Sequence, residues 1–299
     1  MATRKNTREP EPAPKRRGRV EHEESENPAP RNQVARQRPA SDQALALAAE
    51  MAKDSGSGFD EANGDAYAIP FLTILQELSP QTKSKMPGYI KGAQPGQIIN
   101  SVSQALCDVV RVIPCYYSQV FIEWVPRKKG GGFVAAHPPG DPIIKRATRD
   151  GAVNVLPNGN ELSDTRQHYV LLVNEDGSTD NCLIAMKGTQ LKYSRRWMSQ
   201  MRSGIIEVNG RIVEPPMFAW SYEMGSVEEA NEKGQWFSWD IRDRQRVEDV
   251  LLYQKAKAFC NTIRGGGVKV KYEDLQSTDV PTDTGSAFDG AVDDDDIDL

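Results

Sequence analysis

Hydrophobic residues are sparse in Met1–Ala40 and again in Glu273–Leu299, and they crowd into the stretch between. From Phe59 to Tyr272 the chain holds every aromatic residue except Phe288. Within that stretch, "DVVRVIPCYY" (Asp108–Tyr117) and "QVFIEWV" (Gln119–Val125) are rich in β-branched and aromatic residues and predict neighbouring strands. "HYVLLVNEDGSTDNCLIAMK" predicts two strands around a loop at Asn174–Asp180. "MFAWSYEM" and "WFSW" predict further short strands. Asn158-Gly159 and Asn209-Gly210 supply the chemistry of tight hairpins, since both residues tolerate positive φ. "IPFLTILQELS" (Ile69–Ser79) has mixed period and fits either a helix or a buried strand.

Helical spacing interrupts this pattern twice. "TQLKYSRRWMSQM" (Thr189–Met201) has Thr189 as a possible cap. "RDRQRVEDVLLYQKAKAFCNTI" (Arg242–Ile263) repeats apolar residues near helical period and meets "GGG" (Gly265–Gly267), which should stop it. A third, short helix is predicted near residues 41–54, where Ser41 precedes good helix formers; "SGSG" (Ser55–Gly58) then reads as a hinge. The fold class this predicts is mainly β (α+β), an antiparallel OB-like barrel or sandwich with two added helices. Residues 1–58 read as a disordered basic arm carrying the short helix, residues 59–272 as one β-rich domain, and residues 273–299 as a disordered acidic tail.

Charge sharpens this division. The net charge of −5 conceals a basic arm, Met1–Ala40, with ten Lys/Arg against six Asp/Glu. Glu273–Leu299 carries ten acids and no base, so the stretch between is close to neutral. The acidity belongs to the tail. The chain has no run of apolar residues long enough to span a bilayer and no apolar signal-peptide core, so a cytoplasmic location is expected. Cys107, Cys115, Cys182 and Cys260 lie in apolar contexts without a C-x-x-C pair, which fits buried free thiols in a reducing compartment.

Catalytic signatures are missing. His137 and His168 have no Cys or His at metal-ligand spacing, so no metal site is expected. "MKGTQ" (Met186–Gln190) lacks the glycine loop of a phosphate-binding motif. Neither G-x-S-x-G nor H-E-x-x-H occurs. The expectation is a protein that is not an enzyme and holds no cofactor. Aspartates in a tail lack the rigid surroundings that catalytic carboxylates need.

Binding chemistry is better represented. "KGTQLKYSRRWMSQMR" places Lys187, Lys192, Arg195, Arg196 and Arg202 around Tyr193 and Trp197 with no acid among them. On a helix Lys192, Arg195 and Arg196 share a face. Cations for phosphates and flat rings for bases are what a single-stranded nucleic acid requires. The same stretch also fits an ordinary amphipathic helix with Trp197 in the core. "PRKKGGGF" offers Arg127, Lys128 and Lys129 ahead of three glycines, suited to close backbone approach to phosphate, or simply to a solvated loop. Of the aromatic residues of the predicted strands, Tyr116, Tyr117, Phe121, Trp124, Trp220, Tyr222, Trp236, Phe237 and Trp239, most should be core, and one or two are further stacking candidates that the sequence does not single out.

A near-neutral body with basic patches and the ending "AVDDDDIDL" resembles single-stranded DNA-binding proteins of bacteria and their phages. The residues that carry the resemblance are Asp293, Asp294, Asp295, Asp296 and Asp298 with Ile297 and Leu299. It departs from the bacterial pattern in ending on Leu299 rather than on an aromatic residue. "IPFLTILQELSPQ" and "QLKYSRRW" are also similar to phage replication-region proteins. The resemblance implies a phage-encoded protein that holds single-stranded DNA in replication or recombination. It also implies that the tail occupies the basic groove when DNA is absent and recruits replication or recombination enzymes through Ile297 and Leu299. The rivals are a virion structural or scaffold-like assembly protein and a divalent-metal nucleic-acid enzyme. A homo-oligomer stays open.

Overall fold

A computed structural model describes residues 42–55, 57, 58, 60, 69–151, 153–232 and 234–276. The basic arm and Asp293–Leu299 lie outside the described residues. The chain divides into two units after Asp60. In the first, α1 (Asp42–Lys53) forms where the cap and helix formers predict it, and none of its residues is buried.

The second unit begins with β1 (Leu72–Ile74), β2 (Ile98–Asn100) and β3 (Leu106–Cys107), a small antiparallel sheet. "IPFLTILQELS" therefore contains a strand. Then follow β4 (Val110–Trp124), β5 (Phe133–His137), β6 (Thr148–Asp150), β7 (Val153–Val155), β8 (Glu161–Val173) and β9 (Thr179–Lys187). Helix α2 (Leu191–Arg202) leads into a hairpin of β10 (Ile206–Val208) and β11 (Arg211–Val213). Two long strands, β12 (Trp220–Asn231) and β13 (Gly234–Arg246), precede α3 (Val250–Arg264) and the single turn α4 (Glu273–Gln276).

The large sheet is antiparallel and centres on the long pair β4–β8. At one end its order is β13-β12-β4-β8-β9; at the other, β5 replaces β12 beside β4, and β7 replaces β9 beside β8, with β6 outermost. The two expected strands of 108–125 are one continuous strand, β4. Pro114 has no N–H to give the ladder, and it is tolerated because the register slips there, between Pro114 and Tyr116.

The expected barrel does not close, because β9 and β13 do not pair. Side-chain amides serve the edge of β13 instead. Gln76 accepts from the Phe237 N–H at 2.8 Å and donates to the Phe237 carbonyl at 2.9 Å. Gln190 donates to the same carbonyl at 3.1 Å and accepts from the Trp239 N–H at 3.3 Å. Such pairing shields an edge that would otherwise template association.

Two apolar clusters hold the second unit. One, beneath α2, includes Val112, Ile184, Met186, Trp197, Tyr222 and Met224. The other, on the opposite face beneath α3, includes Ile113, Ile122, Tyr169, Leu183 and Phe259. The second predicted helix starts later than its sequence period suggests. Arg242–Arg246 continue β13 by pairing with β12, and Asp249 then caps α3 through the Leu251 and Leu252 N–H groups at 2.7 and 3.2 Å. Gly265 closes its end as expected, its N–H reaching the Asn261 carbonyl at 3.0 Å. The start of the predicted tail is also corrected: Leu275 of α4 is only 7% exposed, within the cluster beneath α3. All four cysteines are free, and burial pushes the thiols of Cys115 and Cys182 up to about 12.

Candidate nucleic-acid interface

The basic-aromatic stretch 187–202 does not form one surface. Lys187 ends β9, and its ammonium lies 5.9 Å from the ring of Trp124, on the α3 side of the sheet. A short 3-10 turn, Gly188–Gln190, then carries the chain to α2 on the other side. Thr189 is not the cap; the helix opens after Gln190 with no side-chain capping bond. Trp197 is 0% exposed, its ring centred 4.7 Å from that of His168 and 5.6 Å from that of Tyr222. No base can stack on a ring with no free face, so the amphipathic-helix reading holds for Trp197. Beneath it His168 meets Ser194 Oγ at 2.8 Å, and burial drives the imidazole down to about 3, so it stays neutral.

The exposed face of α2 is partly neutralised by its neighbours. Glu229 of β12 accepts from Lys192 at 2.5 Å and from the Tyr193 hydroxyl at 2.7 Å through Oε1. Through Oε2 it accepts from Ser238 at 2.5 Å and Trp236 Nε1 at 2.9 Å. Partial burial alone would raise this carboxyl, but the four hydrogen bonds outweigh it and hold it at about 2. Tyr193 is thus tied as a donor, and the Lys192 ammonium lies 5.0 Å from its ring centre. Arg202 lies 3.5 Å from Glu214. Arg195 and Arg196 stay exposed, and Arg196 shares a groove of about 310 Å³ with Asp240, floored by Trp197 and Trp239.

A second basic region lies at the opposite end of β4. Residues 125–160 carry six Lys/Arg against two Asp/Glu. Arg127–Lys129 form a 3-10 turn, followed by Gly130, Gly131 and Gly132 at φ 108°, 70° and 129°. Three successive positive φ values suit only glycine, which explains the run. Lys128 and Lys129 are exposed, and the Lys129 ammonium lies 2.8 Å from where a Cβ on Gly159 would stand. Pro142–Arg146 form another 3-10 turn, started by the Asp141 carboxylate accepting from the Ile143 N–H at 2.9 Å. That turn presents Lys145 and Arg146, and β6 presents Arg149, all exposed. These three cations escape motif reading, because no aromatic or glycine pattern marks them; a running charge count over 125–160 finds them.

This connection is pinned to the sheet by a buried carboxylate. Glu123, 4% exposed, accepts from Asn158 at 2.9 Å and Asn160 at 2.6 Å. His137 bridges it to the next turn, with Nε2 3.0 Å from Glu123 and Nδ1 3.0 Å from Asp141. Burial works to raise the Glu123 carboxyl, yet the bonds from Asn160, Asn158 and His137 leave it below the usual range. Asp141 is lowered by the Ile143 N–H and by His137. One carboxylate thereby joins β5, the Asp141 turn and the Asn158–Asn160 turn.

Fold and charge together define a mainly β, antiparallel protein in which α2 and α3 cover opposite faces of one large sheet. The chain belongs to the Pam3 phage gp34-like protein family, whose model matches residues 40–269. No curated protein and no solved structure matches it. Among the described residues no helix is long and apolar enough to cross a membrane.

Proposed function

We propose that this phage-family protein binds single-stranded DNA without turnover, and protects or organises it during replication or recombination in the host cytoplasm. The observation that carries the reading is the connection 125–160. It carries an excess of four positive charges, with Lys128, Lys129, Lys145 and Arg146 exposed on 3-10 turns and Arg149 exposed on β6. The strand order supports it. Read around the sheet, β13-β12-β4-β8-β9, with α2 between β9 and β12, has the circular order of an OB fold, a partly open barrel that commonly holds oligonucleotides. In that comparison 125–160 is the loop between the first two strands, one of those that such folds use for binding. Arg127 belongs to the same connection, Lys187, Arg195 and Arg196 supply separate cations on β9 and α2, and the acidic ending 293–299 serves partner enzymes.

A fluorescence titration with labelled oligo-dT, repeated with its duplex across a salt series, tests the reading. Tight, salt-sensitive binding that favours the single strand is expected; a flat salt response or a preference for duplex sinks it. A second reading, an assembly protein, draws on the hairpin β10–β11. Its neighbourhood exposes Ile205, Val208, Ile212 and Val213, with Ile212 71% exposed, and two-stranded hairpins are seldom stable unaided.

A further inference from the structure

Among the described residues, aromatic rings that pack in neither core are few, and two of them stand on one face of one strand. From Tyr116 to Trp124 the register of β4 against β8 is unbroken, so side chains alternate strictly. Tyr116, Val120, Ile122 and Trp124 go to the α3 side. Tyr117, Gln119, Phe121 and Glu123 therefore share the other face. Tyr117 and Phe121 are half-buried and belong to neither apolar cluster. Four residues of strand separate them by roughly 13 Å, room for bases of an extended strand to reach both.

The surroundings of the two rings are polar. Opposite them on β8, Arg166 donates to the Tyr117 hydroxyl at 2.9 Å and pairs with Asp164 through two bonds of 3.0 and 2.9 Å. Gln119 Nε2 donates to the same Asp164 at 3.0 Å. Asp164 is thus already satisfied by two donors from within the face. The other side of Tyr117 rests on His168, at 5.2 Å between ring centres, and His168 in turn rests on the core residue Trp197. Tyr117 is the outer ring of a ladder whose inner rungs are fixed.

Glu123 on this same face is the pin of the basic connection, and His137 stands opposite Phe121 in the β4–β5 register. The turns carrying Lys129, Lys145 and Arg146 are therefore anchored beside Phe121. We infer that the β4–β8 face is a base-stacking platform for single-stranded DNA, with Phe121 and Tyr117 as the stacking rings and the 125–160 turns holding the phosphates. The inference rests on the proposed function, and it selects the rings that the sequence leaves unselected.

The experiment compares oligo-dT with an oligonucleotide of the same length in which the bases are replaced by abasic sites. Both carry the same phosphates; only one can stack. The full chain should prefer oligo-dT, and Phe121→Leu with Tyr117→Leu should abolish that preference while leaving the salt slope unchanged. Each ring lost should cost about five- to a hundredfold of affinity for oligo-dT. The ratio of the two affinities is taken within one preparation, so an unfolded fraction lowers both and leaves the ratio intact. If the double variant keeps the full preference, the platform is elsewhere although the function stands. If the unaltered protein binds neither probe, the function itself fails. Ultraviolet crosslinking of the unaltered chain to oligo-dT gives a second reading: adducts at Tyr117 or Phe121 support the platform, and adducts confined to other aromatic residues overturn it.

Discussion

The two ends of the large sheet solve opposite electrostatic problems. Around β12 and β13, residues 220–249 carry eight acids against four bases, and the structure spends those acids locally. Glu229 takes Lys192, Arg242 is held between Glu223 and Asp240, and Arg111 reaches Asp243 at 2.6 Å. At the other end, residues 125–160 have too few acids to do this, and one of the two, Asp141, is engaged by His137 and the Ile143 N–H. A patch that reads as strongly basic along the chain is thus diluted in space, and a region that its sequence marks only at Arg127–Lys129 emerges as the more cationic one. Local sequence composition does not measure surface potential; what folds next to it does.

The largest effect expected from this contrast concerns Trp197. If α2 is anchored by that ring, Trp197→Ala should lower the free energy of unfolding by about 3–5 kcal/mol, read by denaturant titration. DNA affinity per folded molecule should fall less than in Phe121→Leu with Tyr117→Leu, because Trp197 reaches Tyr117 only through His168. A stable variant that loses as much affinity as Phe121→Leu with Tyr117→Leu would instead return Trp197 to the interface.

The second test sets one end against the other. Replacing Lys128, Lys129, Lys145 and Arg146 with Gln removes four cations, and at about 0.7 per phosphate the slope of log K against log[salt] should become shallower by roughly 3. Arg195→Ala with Arg196→Ala removes two and should move it by roughly 1 at most, because Asp240 shares the groove of Arg196. Equal slopes changes per charge would erase the distinction between the two ends.

A third test uses pH on the acidic end. The folded Glu229 carboxyl stands at about 2 against an ordinary value of 4.5. A depressed carboxylate stabilises the fold above its unfolded value, and that contribution is lost as pH falls from about 4.5 toward 2. The unaltered protein should therefore lose stability across that window more steeply than Glu229→Gln, by an amount on the order of 2 kcal/mol. Parallel curves would mean that the four hydrogen bonds to Glu229 contribute little.

How far the sequence discloses this molecule depends on which physics is asked. Alternation and β-branching disclose the strands, and Asn209-Gly210 its hairpin, with φ of 53° and 74° at the two residues. The mainly β class follows from them. The continuity of β4 is hidden because the polar Ser118 divides two apolar runs, and only the unbroken pairing of Tyr117, Ser118 and Gln119 with β8 reveals one strand. Likewise Arg242–Arg246 have helical-looking spacing, yet their partner across the ladder, Trp220–Glu223, decides their state. The site is less legible still. Both readings of Trp197 fit one helical wheel, and the choice between them lies with His168 and Tyr222, residues distant in the chain. Lys145 and Arg146 gain meaning only through His137, whose two carboxylate partners lie 14 residues before it and 4 after.

The smallest effect expected lies at the C-terminus, where the structure refines the charge argument. Truncation after Tyr272 follows the acidic composition but removes Leu275, a buried side chain of the α3-side cluster, and burial of a leucine contributes about 1.5–3 kcal/mol. Truncation after Gln276 spares it and still removes eight acids, changing the net charge from −5 to +3. The shorter truncation should thus leave the thermal midpoint of the body in place, whereas the longer one lowers it. If the acidic residues compete with DNA for the 125–160 turns, the truncation after Gln276 should raise affinity for oligo-dT severalfold at low salt. The gain should fade as ionic strength rises and the Debye length falls below about 10 Å. Combining this truncation with the four-cation variant sharpens the comparison. If the tail competes at the basic end, removing it should then give no gain; a full gain in that background would place the competition at α2 instead.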